Sequence, residues 1–434
     1  MSPAMIGTLG MVLLLVLLLM RVPVAFAMFA VGFAGVTVLS GVNSAISLMA
    51  SETFTLASSA ELVVIPLFIL MGNVASATGM SSKLYDAAYA IIGSIRGGLA
   101  STTVIGCGGF AALSGSSVAS ALTMGQVSLA EMERFKYDTR LATGVVAAGG
   151  TLGILIPPST GFVIYAILVE QSIGRLFLAG VLPGILLLSL FILVITVMCW
   201  VKPELGPAGP KTSLREKIVA FGHALPIVGI ILITIGGIYL GIFSPVEAAA
   251  VGAGLIIMLG FVLRVLTIKT LWVALKNSVV TTATVMLILI AAHMINPFLA
   301  LSHIPQALGA FLGGLNLPAM AVLCIMLLCY LILGCFLEGY SMLVLSMPIF
   351  FPVITQLGID PIWFGVLAVV TLEMGLISPP VGVNIFIVKS VAPNVPLSRI
   401  FIGAIPFWLA MLVALILLVA FPQIALFLPN TMIN

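Results

Sequence analysis

Long apolar runs separated by brief polar breaks organise this chain. Met5–Met20, Val22–Leu39, Gly180–Trp200, Ile227–Ile242 and Phe407–Phe421 each approach or reach the roughly 20 apolar residues that carry a helix across a bilayer. Strands of a membrane barrel would alternate apolar with polar residues, so the pattern predicts an all-α polytopic membrane protein. The first run could be mistaken for a secretory signal. It lacks a basic leading region and is followed at once, after Arg21, by a second apolar run, so it reads as a retained span. Composition agrees: 62% of residues are hydrophobic and 7% charged, against about a quarter charged in soluble domains.

The most polar stretch begins at Val201 and carries Lys202, Lys211, Arg215 and Lys217. It predicts a cytoplasmic linker over 201–222 between a first half, 1–200, and a second, 223–434. The halves share landmarks in the same order. Gly153-Ile-Leu-Ile-Pro157-Pro158 matches Gly375-Leu-Ile-Ser-Pro379-Pro380, and Leu113-Ser-Gly115-Ser-Ser117 matches Leu337-Glu-Gly339-Tyr-Ser341. Val22-Pro23 against Ser244-Pro245, and Arg175-Leu-Phe177 against Arg399-Ile-Phe401, add two anchors at similar spacing. Chance similarity of apolar segments is the bland alternative, and four collinear anchors argue for duplication. If each half crosses an odd number of times with the linker inside, almost every Lys and Arg falls on the cytoplasmic face, leaving Arg175 outside. That one-sidedness predicts inverted repeats with both termini on the outer side.

Each half is broken twice. Ser114-Gly-Ser-Ser117 interrupts an apolar stretch and predicts a re-entrant hairpin over about 97–129; Glu338-Gly-Tyr-Ser341 does the same over about 318–356. Irregular backbone at membrane depth survives only where protein or a watery cavity satisfies it, so two polar tips imply a cavity between the halves. The second arm of each hairpin turns its amides toward that cavity, which suits an anion. The second breaks are the proline pairs, predicting broken helices over about 141–169 and 363–391. Proline cannot donate to the carbonyl four residues back, so Gly153, Ile154, Gly375 and Leu376 lose their donors. Such carbonyls are hard oxygen ligands, and Na⁺ is their natural occupant. A lone Pro-Pro would read as a kink; paired with polar tips in both halves, the site reading is favoured.

Charged and reactive side chains add little enzymatic material. Glu338 and Glu373 lie near the second-half breaks, where an acid is costly enough to imply ion or proton handling unless it is locally satisfied. Glu61 and Glu247 stand at predicted helix starts and read as structural. His293 could line a pathway or simply pack. The five cysteines lack metal or disulfide spacing, phosphate-loop and zinc motifs are missing, and the net charge of +3 is too dispersed for nucleic acid. The chain reads as a transporter rather than an enzyme. With no nucleotide-binding domain in the sequence, uphill movement must draw on an ion gradient or a separate ATPase.

Taken together, Gly108-Gly-Phe-Ala-Ala-Leu-Ser-Gly-Ser-Ser117, Gly153-Ile-Leu-Ile-Pro-Pro-Ser159, Ser244-Pro-Val-Glu-Ala-Ala-Ala250, Leu337-Glu-Gly-Tyr-Ser341 and Gly375-Leu-Ile-Ser-Pro-Pro-Val-Gly382 resemble the large membrane subunit of tripartite ATP-independent periplasmic (TRAP) transporters over essentially the whole chain. The resemblance implies a Na⁺-driven importer of a small organic acid, such as a C4-dicarboxylate or sialic acid, in the bacterial inner membrane, working by an elevator motion. It also implies two partners: a separate small four-helix membrane subunit and a periplasmic substrate-binding protein. Carried onto matching positions, it places one Na⁺ at Ser114, Gly115, Ser117, Gly150 and Gly153, and another at Gly334, Gly339, Thr371, Met374 and Gly375. Substrate carboxylate would lie near Ser116, Ser159, Ser341 and the turn Pro379, Pro380, Val381, Gly382. Glu338 departs from the symmetry by standing opposite Ser114. The rival is a stand-alone Na⁺/dicarboxylate or citrate-type symporter of similar architecture.

Overall fold

A computed structural model describes residues 2–432 apart from 21, 305, 308–316, 336 and 338, so Glu338 lies outside the described residues. All regular structure within them is helical. The first half holds α1 (Pro3–Leu19), α2 (Val24–Ser40), α3 (Val42–Ala57), α4 (Val64–Ala77), α5 (Met80–Ile92), α6 (Gly98–Ser114), α7 (Ser117–Arg134), α8 (Thr139–Leu155), α9 (Thr160–Leu168) and α10 (Ile173–Val201). The second holds α11 (Leu214–Tyr239), α12 (Pro245–Val262), α13 (Ile268–Leu301), α14 (Ala319–Gly334), α15 (Gly339–Gln356), α16 (Pro361–Leu376), α17 (Val383–Val391), α18 (Leu397–Ala420) and α19 (Gln423–Asn430). Among the described residues, seven helices are long and apolar enough to span a bilayer, or eight if the bent pair α8 and α9 forms one span.

Helix boundaries follow local chemistry. Ser213 with Glu216, and Ser244 with Glu247, form reciprocal capping boxes that start α11 and α12. The linker is therefore shorter than the 201–222 expected, because the Ser213 cap starts a helix inside it. Asp138 caps α8, and the Arg140 guanidinium hydrogen-bonded to it holds its carboxyl below the ordinary range. The linker is also docked: Leu205 accepts from the Asp138 amide at 3.0 Å, and Gly206 from the Gly97 amide at 2.8 Å.

The hairpin arms are longer than their polar tips implied, α7 running on to Arg134 rather than ending near 129. Arms of 16 to 18 residues reach about 24–27 Å, short of the roughly 30 Å hydrocarbon core.

Two helices form the centre. Every residue from Leu141 to Leu155 of α8, and from Ile362 to Leu376 of α16, is buried, the expected fate of helices that are apolar all round. Small residues let neighbours approach. Gly144 abuts the carbonyl of Gly403 on α18, Gly149 faces Cys107 on α6, and Gly150 faces Ala121 on α7. Cys107 thus serves as a small packing residue. Hairpin α6–α7 lies on α8 and hairpin α14–α15 on α16, while each segment beyond a break, α9 or α17, packs on the second arm of the opposite hairpin. Both tips are thereby brought to one place.

Candidate functional site: paired breaks around one cavity

At the first tip Gly115 ends α6 in the left-handed region, φ 59° and ψ 21°, which closes the turn without a Cβ penalty. Ser116 then caps α7, its Oγ accepting from the Ala119 amide at 3.3 Å. The Ser114 and Ser120 hydroxyls lie 3.2 Å apart. This turn sits on the first break. A Cβ on Gly153 would collide with the Ser116 carbonyl and stand 2.6 Å from the Ser117 amide, and one on Gly150 would stand 3.2 Å from the Ser117 carbonyl. Thr160, past the break, donates its hydroxyl to the Gly115 carbonyl at 2.7 Å. Ser114, Gly115, Ser117, Gly150 and Gly153 are therefore gathered together.

The second set divides. Gly334 and Gly375 touch, a Cβ on Gly375 standing 2.6 Å from the Gly334 Cα, and Gly339 packs on Leu372. Thr371 and Met374 point elsewhere: both line an apolar groove of about 430 Å³ between α14, α16 and α18, and the Thr371 hydroxyl is spent on the Leu367 carbonyl at 2.8 Å. Helical spacing explains this. Residues three and four apart share a face, so Thr371, Met374 and Gly375 turn toward α14, while Glu373 lies on the far side.

The breaks also free fewer carbonyls than the prolines alone imply. Ser159 donates its hydroxyl to the Ile154 carbonyl, and the Ser378 amide donates to Gly375 at 3.0 Å. Among the described residues no amide takes up Gly153 or Leu376. Both Pro-Pro bonds are cis.

Between the tips lies a cavity of about 360 Å³, lined by Ser114, Ser116, Ser117 and Thr160 from the first half and by Gly339 and Tyr340 from the second. The Thr160 and Tyr340 hydroxyls meet at 2.6 Å, joining first break to second tip. Asn73 of α4 and Thr281 of α13 complete the polar lining, and apolar residues such as Ile69, Leu122, Ile154 and Val285 form the rest of the wall; Asn73 donates to the Ser278 hydroxyl at 2.8 Å. Of the residues expected to meet substrate, Ser116 lines this cavity. Ser159 and Ser341 are buried outside its lining, Ser159 because it caps α9. Pro379 and Pro380 are exposed elsewhere, with Val381 half-buried and Gly382 buried at φ 64°. Asn73, Thr160, Thr281 and Tyr340 were not anticipated. A polar Asn73 inside the apolar run 62–75 was the available signal.

The candidate acids separate by environment. Glu247 closes a capping box and Glu61 lies in the short 3₁₀ turn before α4. His293 pairs with Glu52 at 3.1 Å, away from the cavity lining. Glu373 is 1% exposed, and its Oε1 accepts from the Ser117 hydroxyl at 2.7 Å, from one half of the chain to the other.

Two short-armed hairpins clasped on two proline-broken helices, around a cavity that the described residues line with uncharged polar and apolar side chains, and inside an apolar helical shell, define a polytopic membrane transporter. The chain belongs to the TRAP transporter large-permease family: the model described as "Tripartite ATP-independent periplasmic transporter, DctM component" matches residues 11–424. It is 39% identical over 383 residues to the C4-dicarboxylate TRAP transporter large permease protein DctM of Pseudomonas aeruginosa, covering 88% of this chain and 89% of that protein. It is 34% identical to the protein of the same name from Rhodobacter capsulatus, covering 96% and 97%. With the sialic acid TRAP transporter large permease protein SiaM of Vibrio cholerae it shares 32% identity, covering 95% and 96%. Its fold resembles the YdaH transporter of Alcanivorax borkumensis, with TM-score 0.64 and 15% identity over 88% of this chain and 89% of that one. It also resembles Neisseria gonorrhoeae MtrF, with TM-score 0.65 and 12% identity over 97% and 95%.

Proposed function

We propose that this chain is the membrane pathway of a Na⁺-coupled importer of a small carboxylate, a C4-dicarboxylate or sialic acid being the classes its relatives' names give. The observation that carries the reading is the fit of the first tip to the first break. Gly153 packs on the Ser116–Ser117 main chain, its carbonyl takes no amide among the described residues, and the same tip carries the Ser114 and Ser117 hydroxyls, a set of hard neutral oxygens that suits Na⁺. The second Na⁺ lies against the main chain of Gly334, Gly339, Thr371, Met374 and Gly375. Substrate carboxylate occupies the shared cavity. There the N-terminal amides of α7 and α15 favour an anion, and Ser116, Thr160 and Tyr340 supply hydroxyl groups.

Hairpins and broken helices form the moving body of an elevator, and the remaining spans its scaffold. A small four-helix membrane subunit enlarges that scaffold, and a periplasmic binding protein delivers substrate. The related "DctMQ" permease protein of Oleidesulfovibrio alaskensis, 31% identical and of which this chain covers 64%, is consistent with such a membrane partner. The setting is the bacterial inner membrane with both termini periplasmic, as the one-sided Lys and Arg distribution favours.

The test is uptake of radiolabelled substrate by proteoliposomes holding this chain and the small subunit. Uptake should require both an inward Na⁺ gradient and added binding protein. Uptake of free substrate by the chain alone would favour the stand-alone symporter, and uptake indifferent to Na⁺ would remove the ion coupling.

A further inference from the structure

Glu373 matches Thr151 at the offset that relates Gly153 to Gly375 and Pro157 to Pro379. The second half thus has a carboxylate where the first has a hydroxyl. Thr151 satisfies itself locally, donating to the Ala148 carbonyl at 2.5 Å. Glu373 does not. Its Oε1 accepts from Ser117, while Oε2 is buried and makes no hydrogen bond among the described residues. Nearby in sequence, beyond the break, Asn384 is also fully buried. Its Nδ2 reaches the Ala147 carbonyl of α8 at 3.5 Å, and its Oδ1 is likewise unpartnered.

Among the described residues the ion pairs are Arg134–Glu131, Arg140–Asp138 and His293–Glu52, so no basic side chain neutralises Glu373. A buried carboxylate without a counter-charge is strongly unfavourable. Protonation on Oε1, donated to the Ser117 hydroxyl, would remove the charge but would leave the buried Oε2 without a hydrogen-bond partner among the described residues. A cation beside Oε2 resolves both.

We propose that Glu373 is a ligand and counter-charge for the Na⁺ held at the first-half tip, supplied from the second half through its contact with Ser117. The assignment rests on the Na⁺ reading of that tip and gives the first ion site a formal negative charge that its serine and glycine groups lack. Because Ser117 belongs to α7 and Glu373 to α16, one ion would then tie the first hairpin to the opposite broken helix. Loading would be registered by both halves.

The experiment is thermal unfolding of the purified full-length protein in lipid nanodiscs, titrated with NaCl against choline chloride at constant ionic strength. Glu373→Gln keeps an acceptor for Ser117 and the side-chain volume while removing the charge. Its midpoint without Na⁺ should equal or exceed that of the wild type, and its half-saturating Na⁺ should rise about tenfold or more. Glu373→Thr, which restores the first half's residue, should lose the same Na⁺ response. In the unmodified protein, Na⁺ should protect Glu373 from a hydrophobic carbodiimide, read by peptide mass spectrometry. A Na⁺-stabilised wild type with unchanged half-saturation in Glu373→Gln, or labelling of Glu373 equal in Na⁺ and choline, overturns this assignment and leaves the Na⁺ reading standing. A wild type that Na⁺ neither stabilises nor drives overturns both.

Discussion

Gly375 and Gly334 meet backbone to backbone, so close that a Cβ on Gly375 would stand 2.6 Å from the Gly334 Cα. The first break repeats the relationship in other terms, Gly153 lying against the main chain of Ser116 and Ser117. Main chain cannot rotate away as a side chain can. Gly375→Ala and Gly153→Ala should each cost about 1–3 kcal/mol through overpacking and lose Na⁺-dependent uptake. Gly254 of α12 has nothing within 4 Å of its missing Cβ; there Ala should stabilise by about 0.5–1 kcal/mol and leave uptake intact. Thermal midpoints and uptake on the same preparations check the contrast.

A second contrast isolates the tip conformation. Gly115 and Gly41 both have positive φ, 59° and 91°, so Ala is strained at either. Only at Gly115 would the new Cβ also meet main chain, 2.6 Å from the Pro158 carbonyl oxygen, whereas Gly41 has open space. Gly41→Ala should lose about 1 kcal/mol and still transport; Gly115→Ala should lose more stability and all uptake. Equal uptake in the two variants would separate the tip from function.

Sliding of the hairpins past the outer helices is tested by a contact between the proposed moving body and scaffold. The Ser76 hydroxyl of α4 lies 3.4 Å from the Thr123 hydroxyl of α7, within reach of a disulfide after modest adjustment. With the five native cysteines replaced, Ser76→Cys and Thr123→Cys together should crosslink on oxidation, arrest uptake and recover with reductant. Full uptake by the crosslinked protein would contradict the motion.

The Ser244-Pro-Val-Glu247 motif is assigned a structural role by its capping box, in which the Ser244 amide donates to Glu247 Oε2 at 2.8 Å and Ser244 Oγ accepts from the Glu247 amide at 3.3 Å. Ser244→Ala should cost about 0.5–2 kcal/mol without altering the substrate or Na⁺ dependence of uptake. A changed Na⁺ half-saturation would place this motif in the transport machinery instead.

The breaks were legible because glycine, proline and clustered serines are poor helix formers, and standing at matched positions inside apolar runs they announce interruption. Which way the flanking helices face was not legible. In α16, buried on every side, no apolar stripe fixes the rotation, and only packing of Gly375 on Gly334 sends Thr371 and Met374 to a groove and Glu373 to Ser117. The cavity wall drew on Asn73 and Thr281, residues of separate outer helices that no local pattern joins. The Pro379–Gly382 turn was expected at the substrate from the family resemblance; the chain turns outward there, exposing Pro379 and Pro380.

The central claim, that each hairpin tip and its glycine-proline break together hold a Na⁺, is tested most directly by paired cryo-electron microscopy maps of the protein in NaCl and in choline chloride. The account predicts ion density in NaCl at the Gly153 carbonyl beside Ser114 and Ser117, a second beside Gly339 and Gly375, and loss of both in choline. Identical maps in the two salts, with no density at either break, would contradict it.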